Sequence, residues 1–320
     1  MRDIITKILV NRYVILIAVI AILLLMIIMN GLNNMLFADS RNKEYTVDTT
    51  DVQMDKVSTY TDRGDQITVK EAVENEDTIK RFVSYCNEGN TKEAYNLLSD
   101  DCKEVLYPSE ETFVEEYFNY YFQEQKEVGT DLTKNESGVE VYRVKLYKNS
   151  IETGEIDNQP FLDIYSVTKD AEGNKKLGIN KFIKSEVNSH SEEYKGIKIT
   201  LLRRDIFEDE EFDTFEVDNT TEKRISIRTG EGLRTIYMQS ENDSTYVAPG
   251  NEINDLDAIV KAKAKKQIKI RFSRGFNPSN RVNAIVFSDV VPDYDIFVDN
   301  PKNLKTIYTI KIVLWNRGKR

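Results

Sequence analysis

Apolar residues in this chain fall into three regimes, each with its own period. From Tyr13 to Met29 they form an uninterrupted run of 17, and Asn30-Gly31-Leu32 with Met35-Leu36-Phe37 can prolong it in a tilted helix. A helix that spans a bilayer needs about 17 to 25 such residues. Between Ile79 and Tyr121 the period is helical. Ile79, Phe82, Val83 and Cys86 share one stripe that stops at Gly89, and Asn90 with Glu93 forms a capping-box pair ahead of Ala94, Tyr95, Leu97 and Leu98. Ser99-Asp100-Asp101 then interrupts, Asp101 with Glu104 makes a second box-like pair around Cys102, and Pro108-Ser109-Glu110-Glu111 opens a helix bearing Phe113, Tyr117, Tyr120 and Tyr121. Beyond Gly129 the period becomes two, in Tyr142, Val144 and Leu146, then in Phe161 to Val167 and Leu177 to Ile183. From Gly196 onward short alternating runs recur, such as Ile197-Ile199-Leu201, Ile268-Ile270-Phe272 and Ile310-Ile312-Leu314, with turn clusters between them.

These regimes predict a division of the chain. Residues 1–12 form a cytoplasmic tail, 13–37 a transmembrane anchor, 38–74 a polar stalk, 75–186 an α+β domain, 187–195 a linker and 196–316 an all-β sandwich. Within the stalk, Thr46-Val47 and Ile67-Thr68-Val69 are candidates for short edge strands. Arg2, Lys7 and Arg12 against Asp3 make the near flank basic, and Asp39 opens the far side. The expected topology is therefore single-pass, with the N-terminus in the cytoplasm and the bulk of the chain outside. The competing reading, a cleaved signal peptide, is disfavoured by the length of the run and by Leu36 at the third position before a cut after Ala38.

The stretch FVSYCNEGNTKEAYNLLSDDCKEVLYPSEETFVEEYFNYYF, Phe82 to Phe122, resembles the helical half of the nuclear-transport-factor-2-like superfamily, and the strands after it resemble that fold's curved sheet. The resemblance covers roughly residues 75 to 186 and implies a cone with a pocket between helices and sheet. Family members include enzymes, ligand binders and scaffolds, so the fold does not choose among them. In similar anchored bacterial members, among them assembly factors of conjugative secretion channels, the domain is non-catalytic. VDNTTEKRISIR and KKQIKIRFSRGFNPSNRVNAIVFSDVV resemble the immunoglobulin-like accessory domains of exported Gram-positive proteins, although the Cys and Trp of antibody domains are missing there.

Composition narrows the chemistry. The 320 residues carry 44 Lys and Arg against 54 Asp and Glu, a formal charge of −10, which argues against a nucleic-acid partner. The excess is local: the net charge is +2 over 1–38, −13 over 39–190 and +1 over 191–320. One His and two Cys leave little for a metal centre or a nucleophile–base pair, and no phosphate loop, nucleophile elbow or paired-His motif is present. No cofactor, metal or catalytic residue is expected. The acidic groups Glu208-Asp209-Glu210-Glu211 with Asp213, and Asp289, Asp293 and Asp295, lack the ligand spacing of an EF-hand loop.

Three sets of residues remain as candidates. Cys86 and Cys102 sit outside the cytoplasm in the expected topology, where disulfides persist, and the break at Ser99 lets the chain return far enough to join them; two buried thiols are the alternative. Tyr117, Tyr121 and Tyr165 with Asp163 would line a polar-tipped pocket in the cone, while helical spacing explains the tyrosines more cheaply as core. Lys261, Lys263, Lys265, Lys266, Lys269, Arg271 and Arg274 belong to an acid-free stretch. They read either as lysines that block an edge strand or as a stripe for anionic wall polymer, lipid head groups or the acidic middle domain. The expected function is a non-enzymatic binding or assembly protein of the bacterial cell envelope, acting with an envelope protein partner or by self-association. A component of a conjugative or secretion apparatus and a small-ligand binder or enzyme using the cone pocket are the alternatives.

Overall fold

The structure is a computed structural model, and it describes residues 58–59, 67–136, 138–148, 160–229, 235–248, 255–300, 302 and 306–314. All of these belong to one compact unit, Gln53–Arg320. Strand β1 (Ser58–Thr59) pairs with β2 (Ile67–Thr68), and Thr68 then caps helix α1 (Val69–Asn87) by accepting the Glu71 amide at 3.1 Å. The stripe Ile79, Phe82, Val83 and Cys86 is buried along α1. The helix ends where Gly89 turns to φ +70°, a conformation open to glycine. Three short helices follow, α2 (Thr91–Asn96), α3 (Asp100–Val105) and α4 (Glu110–Phe113). A π-helical turn, Val114–Phe118, and α5 (Asn119–Tyr121) complete the helical layer.

Strands β3 (Lys126–Glu136), β4 (Val139–Lys148), β5 (Phe161–Lys169) and β6 (Lys175–Gly178) form an antiparallel sheet in that order. The helices cover one face of it. Phe82 lies at the centre of that layer, with the rings of Phe113, Tyr117, Phe122 and Tyr165 between 5.8 and 6.4 Å away.

The second half is a pair of sheets. Strands β7 (Phe182–Val187) and β8 (Ser191–Tyr194) both pair with β9 (Ile197–Phe207), which pairs with β10 (Glu211–Asn219). Strands β11 (Ile225–Ser226) and β14 (Ile259–Val260) form a small ribbon, and α6 (Asp255–Ala258) precedes β14. Strand β15 (Ala264–Phe272) closes the first sheet against β10. The facing sheet runs β13 (Thr245–Val247), β12 (Ile236–Ser240), β16 (Val282–Val290), β17 (Tyr308–Val313), with α7 (Tyr294–Asp299) between the last two in sequence. Ile199, Phe215, Ile270, Met238, Phe287 and Ile312 fill the space between the sheets, and Phe215 meets Phe287 edge to face at 5.2 Å.

The halves are joined by packing. Val139, Val141 and Ile164, on the sheet face opposite the helices, meet Ile183, Ile206 and Phe276 from the second half. Lys134 Nζ spans the same seam, donating to Glu208 Oε1 and to the Phe276 carbonyl, both at 2.8 Å. The loop after β15 lies so close to Glu208 that a Cβ on Gly275 would sit 2.2 Å from the Glu208 carbonyl oxygen.

Several expectations are corrected. In place of a transmembrane helix, an α+β cone-like domain and a separate sandwich, the described chain is mostly β-sheet with few helices, of which only α1 exceeds six residues. Four glutamates and aspartates in the first nine positions of α1 show why it is no spanning helix. Among the described residues no helix is long and apolar enough to cross a membrane, so the membrane, single-pass and signal-anchor reading is not supported. Tyr13–Met29, the 13–37 anchor, and the tail ahead of it lie outside the described residues. Ile67–Thr68 is a strand as the alternation suggested, whereas α1 already starts at Val69, inside the expected stalk.

Candidate functional site

The expected Tyr–Asp constellation comes together at the base of the helical layer. Register Val144↔Asp163 and Tyr142↔Tyr165 between β4 and β5 points Tyr165 into the core, and the π-helical turn brings Tyr117 down onto it. The two hydroxyls lie 2.7 Å apart, and Tyr117 also donates to Asp163 Oδ2 at 3.1 Å. Asp163 further accepts the amides of Ile164 at 2.7 Å and Asn180 at 3.1 Å. The turn that delivers Asn180 is tightly specified. Asn180 and Lys181 hold φ +55° and +65°, and a Cβ on Gly178 would sit 2.4 Å from Ser166 Oγ. Burial pushes the Asp163 carboxyl up to about 6 in spite of those donors. Tyr117 and Tyr165 are fully buried among aromatic rings and Tyr121 is half-buried, its ring 4.1 Å from Phe161. The group thus serves as a hydrogen-bonded core cluster.

The disulfide expectation is corrected. Cys86 on α1 and Cys102 on α3 are free thiols, both buried in the aromatic core. The helix carrying Cys102 is capped by Ser99, whose Oγ accepts the Cys102 amide at 3.1 Å, and not by Asp101. The Ser99 amide is itself tied to the Leu177 carbonyl at 2.8 Å, so α3 is docked on the β6 edge and not turned back to α1. Burial raises the Cys86 thiol far above its ordinary range and the Cys102 thiol to about 12. Native protein at pH 8 is therefore expected to leave both thiols unreactive toward an aromatic disulfide reagent, and two thiols should appear on unfolding in denaturant. A mass two hydrogens lighter under non-reducing conditions would contradict this.

The basic stripe lies on and around β15, which ends its sheet. Its cations carry their own counter-ions: Lys263 pairs with Glu222 at 3.0 Å, Lys265 with Asp218 at 3.0 Å, Lys266 with Asp257 at 3.4 Å, Lys269 with Asp205 at 3.3 Å and Arg271 with Glu210 at 2.9 Å. Lys261 is exposed and contributes its carbonyl to Asn219 Nδ2 at 2.9 Å. The stripe is thus mostly a set of ion pairs on and around an edge strand, where charge also discourages further strand pairing. Arg274 departs from it altogether, being buried.

Arg274 belongs instead to a charged network that the sequence reading did not assemble. On β10 the buried positions are Glu211, Asp213, Phe215, Val217 and Asn219, so two carboxylates occupy the core-facing parity. Arg204, on β9, donates Nε to Glu211 Oε1 at 2.6 Å and Nη1 to Glu186 Oε2 at 3.1 Å. Arg274 Nη1 donates to Glu211 Oε2 at 3.0 Å and Nη2 to the Asn280 carbonyl at 2.9 Å. Asp213 Oδ1 lies 3.7 Å from Arg204 Nε. Burial, then the neighbouring Glu211, hold the Asp213 carboxyl well above its ordinary range.

Above this network an open cleft of about 210 Å³ lies along the seam. Lys184, Arg204, Arg274 and Arg281 line it together with Glu136 and Glu186, and the exposed His190 borders it. Glu136 is held by Lys184 at 2.9 Å and by Arg281 at 3.1 Å, while Lys184 also meets Glu186 at 2.8 Å. Ile206, Phe276, Val282 and Leu314 supply an apolar wall. One signal for this site was present in the sequence: Glu211 and Asp213 share the parity of Phe215 and Val217. Arg204 gave none, because a bulge between Leu201 and Arg203 shifts the β9 register. Among the described residues no cluster of His, Cys, Asp and Glu is arranged to hold a metal ion. Comparison of the chain with protein-family models, with curated proteins and with solved structures gives no match to any of the three.

Proposed function

We propose that this chain is a non-enzymatic binding protein whose ligand site is the seam cleft. The observation that carries this reading is the cleft itself. It is open to solvent, it is lined by four cationic side chains and two carboxylates beside an apolar wall, and a fixed ion-pair network forms its base. Sites of this kind combine an apolar wall with a few placed polar groups that set orientation. The Tyr117–Asp163–Tyr165 cluster, by contrast, is packed inside an aromatic core. A protein-observed fragment screen by nuclear magnetic resonance tests the reading. Fragments of any charge class that bind should shift the amides of Lys184, His190, Arg281 and Val282, and Val282→Trp, which fills the cleft, should abolish those shifts. Hits that cluster elsewhere and survive the substitution would remove the proposal.

A further inference from the structure

The helical layer holds nearly all of the chain's excess charge. Residues 69–124 contain 14 Asp and Glu against 5 Lys and Arg, a balance of −9 in a chain of −10. On the sheets, acids meet cations directly, as Asp131 meets Lys145 at 2.7 Å and Glu136 meets Lys184 at 2.9 Å. Near the end of the helical layer they do not. Glu115 and Glu116 are exposed, and among the described residues no hydrogen bond or ion pair reaches either carboxylate.

The same surface carries an open aromatic ring. A π-helical turn closes its hydrogen bonds over five residues and not four, so Val114–Phe118 places both Glu115 and Glu116 about one turn before Tyr120. Tyr120 is 74 % exposed, in a layer where Phe82, Phe113 and Tyr117 are fully buried. Its ring is braced from behind: it meets Tyr121 edge to face at 4.8 Å, and Tyr121 rests on Phe161 at 4.1 Å. A ring held on one side and open on the other accepts a stacked group at small cost in side-chain entropy. None of these residues lines the seam cleft.

Those two features together define the occupant. An apolar partner would take the two carboxylates out of water with no compensating charge. An arginine side chain satisfies both features, because its planar guanidinium stacks on an aromatic face while its N–H groups donate to carboxylate oxygens. Tyrosine and arginine are also enriched at the anchor points of protein interfaces, and the −9 of the surrounding layer steers a basic chain toward it. We propose that the exposed Glu115–Tyr120 face is a docking surface for a basic segment of a protein partner, anchored by an arginine stacked on Tyr120 and paired with Glu115 and Glu116.

Fluorescence anisotropy of labelled hexa-arginine and hexa-lysine peptides with the full chain tests this. Hexa-arginine should bind saturably and more tightly than hexa-lysine, and added salt should weaken it. Tyr120→Ala leaves the charge unchanged and should weaken hexa-arginine at least about fivefold. Glu115→Gln combined with Glu116→Gln should weaken it at least about tenfold. Glu74→Gln combined with Asp77→Asn removes the same charge from exposed positions on α1, whose first turn meets Lys169 at the opposite end of β5 from Phe161, and should weaken it less than about twofold. All five positions lie at the surface, so an unchanged melting temperature checks the fold of each variant. No saturable binding, equal affinity for the two peptides or an unchanged affinity in Tyr120→Ala would each overturn the proposal. An equal loss in the α1 pair would overturn it too, since the layer's charge would then attract cations with no built surface.

Discussion

Replacing Arg204 by methionine is expected to cost about 3–5 kcal/mol of folding stability, the largest effect of any single substitution at the seam. Arg204 is buried, and it is the common partner of Glu211 and Glu186, with Asp213 beside it. Methionine keeps the length of the side chain and so the packing. What it removes is the charge that makes a buried Glu211 tolerable. Arg274 still meets Glu211 at one oxygen, but the other oxygen is left without a donor in a fully buried position. Urea unfolding of wild type and Arg204→Met at neutral pH should show that gap. Adding Glu211→Gln to Arg204→Met removes the uncompensated charge and should recover part of the loss. A gap below about 1 kcal/mol would mean that the network contributes little to holding the seam.

Parts of this architecture were legible because a single element contained both the signal and its reason. The stripe Ile79, Phe82, Val83 and Cys86 is buried on one helix, and the alternation Tyr142, Val144, Leu146 is buried on one strand. Tyr117, Asp163 and Tyr165 could be grouped in advance because each lies on the inward face of its own element. Strand β3 was not legible. In Lys126–Glu136 only Val128 and Leu132 are large and apolar, as suits a half-exposed edge, and the strand is recognised by its pairing with β4. The basic stripe was misleading for a related reason. Lys265 and Lys269 are close in sequence to other cations, but their counter-ions, Asp218 and Asp205, lie about fifty residues or more away and arrive only through sheet register. Long-range pairing likewise explains the seam. Glu136, Glu186, Arg204, Arg274 and Arg281 come from five separate places along the chain, and each reads alone as an ordinary surface charge.

Asp163 should make the folded state lose stability as the pH rises through the weakly acidic range. Its carboxyl sits at about 6 in the folded protein against 3.8 in the open chain, with burial the leading cause. For a group raised on folding, the protonated form is the one the fold prefers. Its contribution is complete below pH 3.8 and is lost as the pH passes 6, and the difference amounts to roughly 3 kcal/mol. Asp163→Asn cannot titrate, so it removes this slope. It carries a separate, constant cost. The amide can present an oxygen to the Ile164 N–H, but its NH2 then faces the Asn180 N–H that Oδ2 accepts in the wild type, a loss of about 1–3 kcal/mol at every pH. The two effects have different pH dependence and can be separated. At pH 4.5 the variant should be the less stable protein, and by pH 8 the gap should have closed or reversed. Parallel urea stabilities across that range would show that Asp163 is ionised in the fold at no cost. The three donors around it, Ile164, Asn180 and Tyr117, would then fully replace the water it gave up.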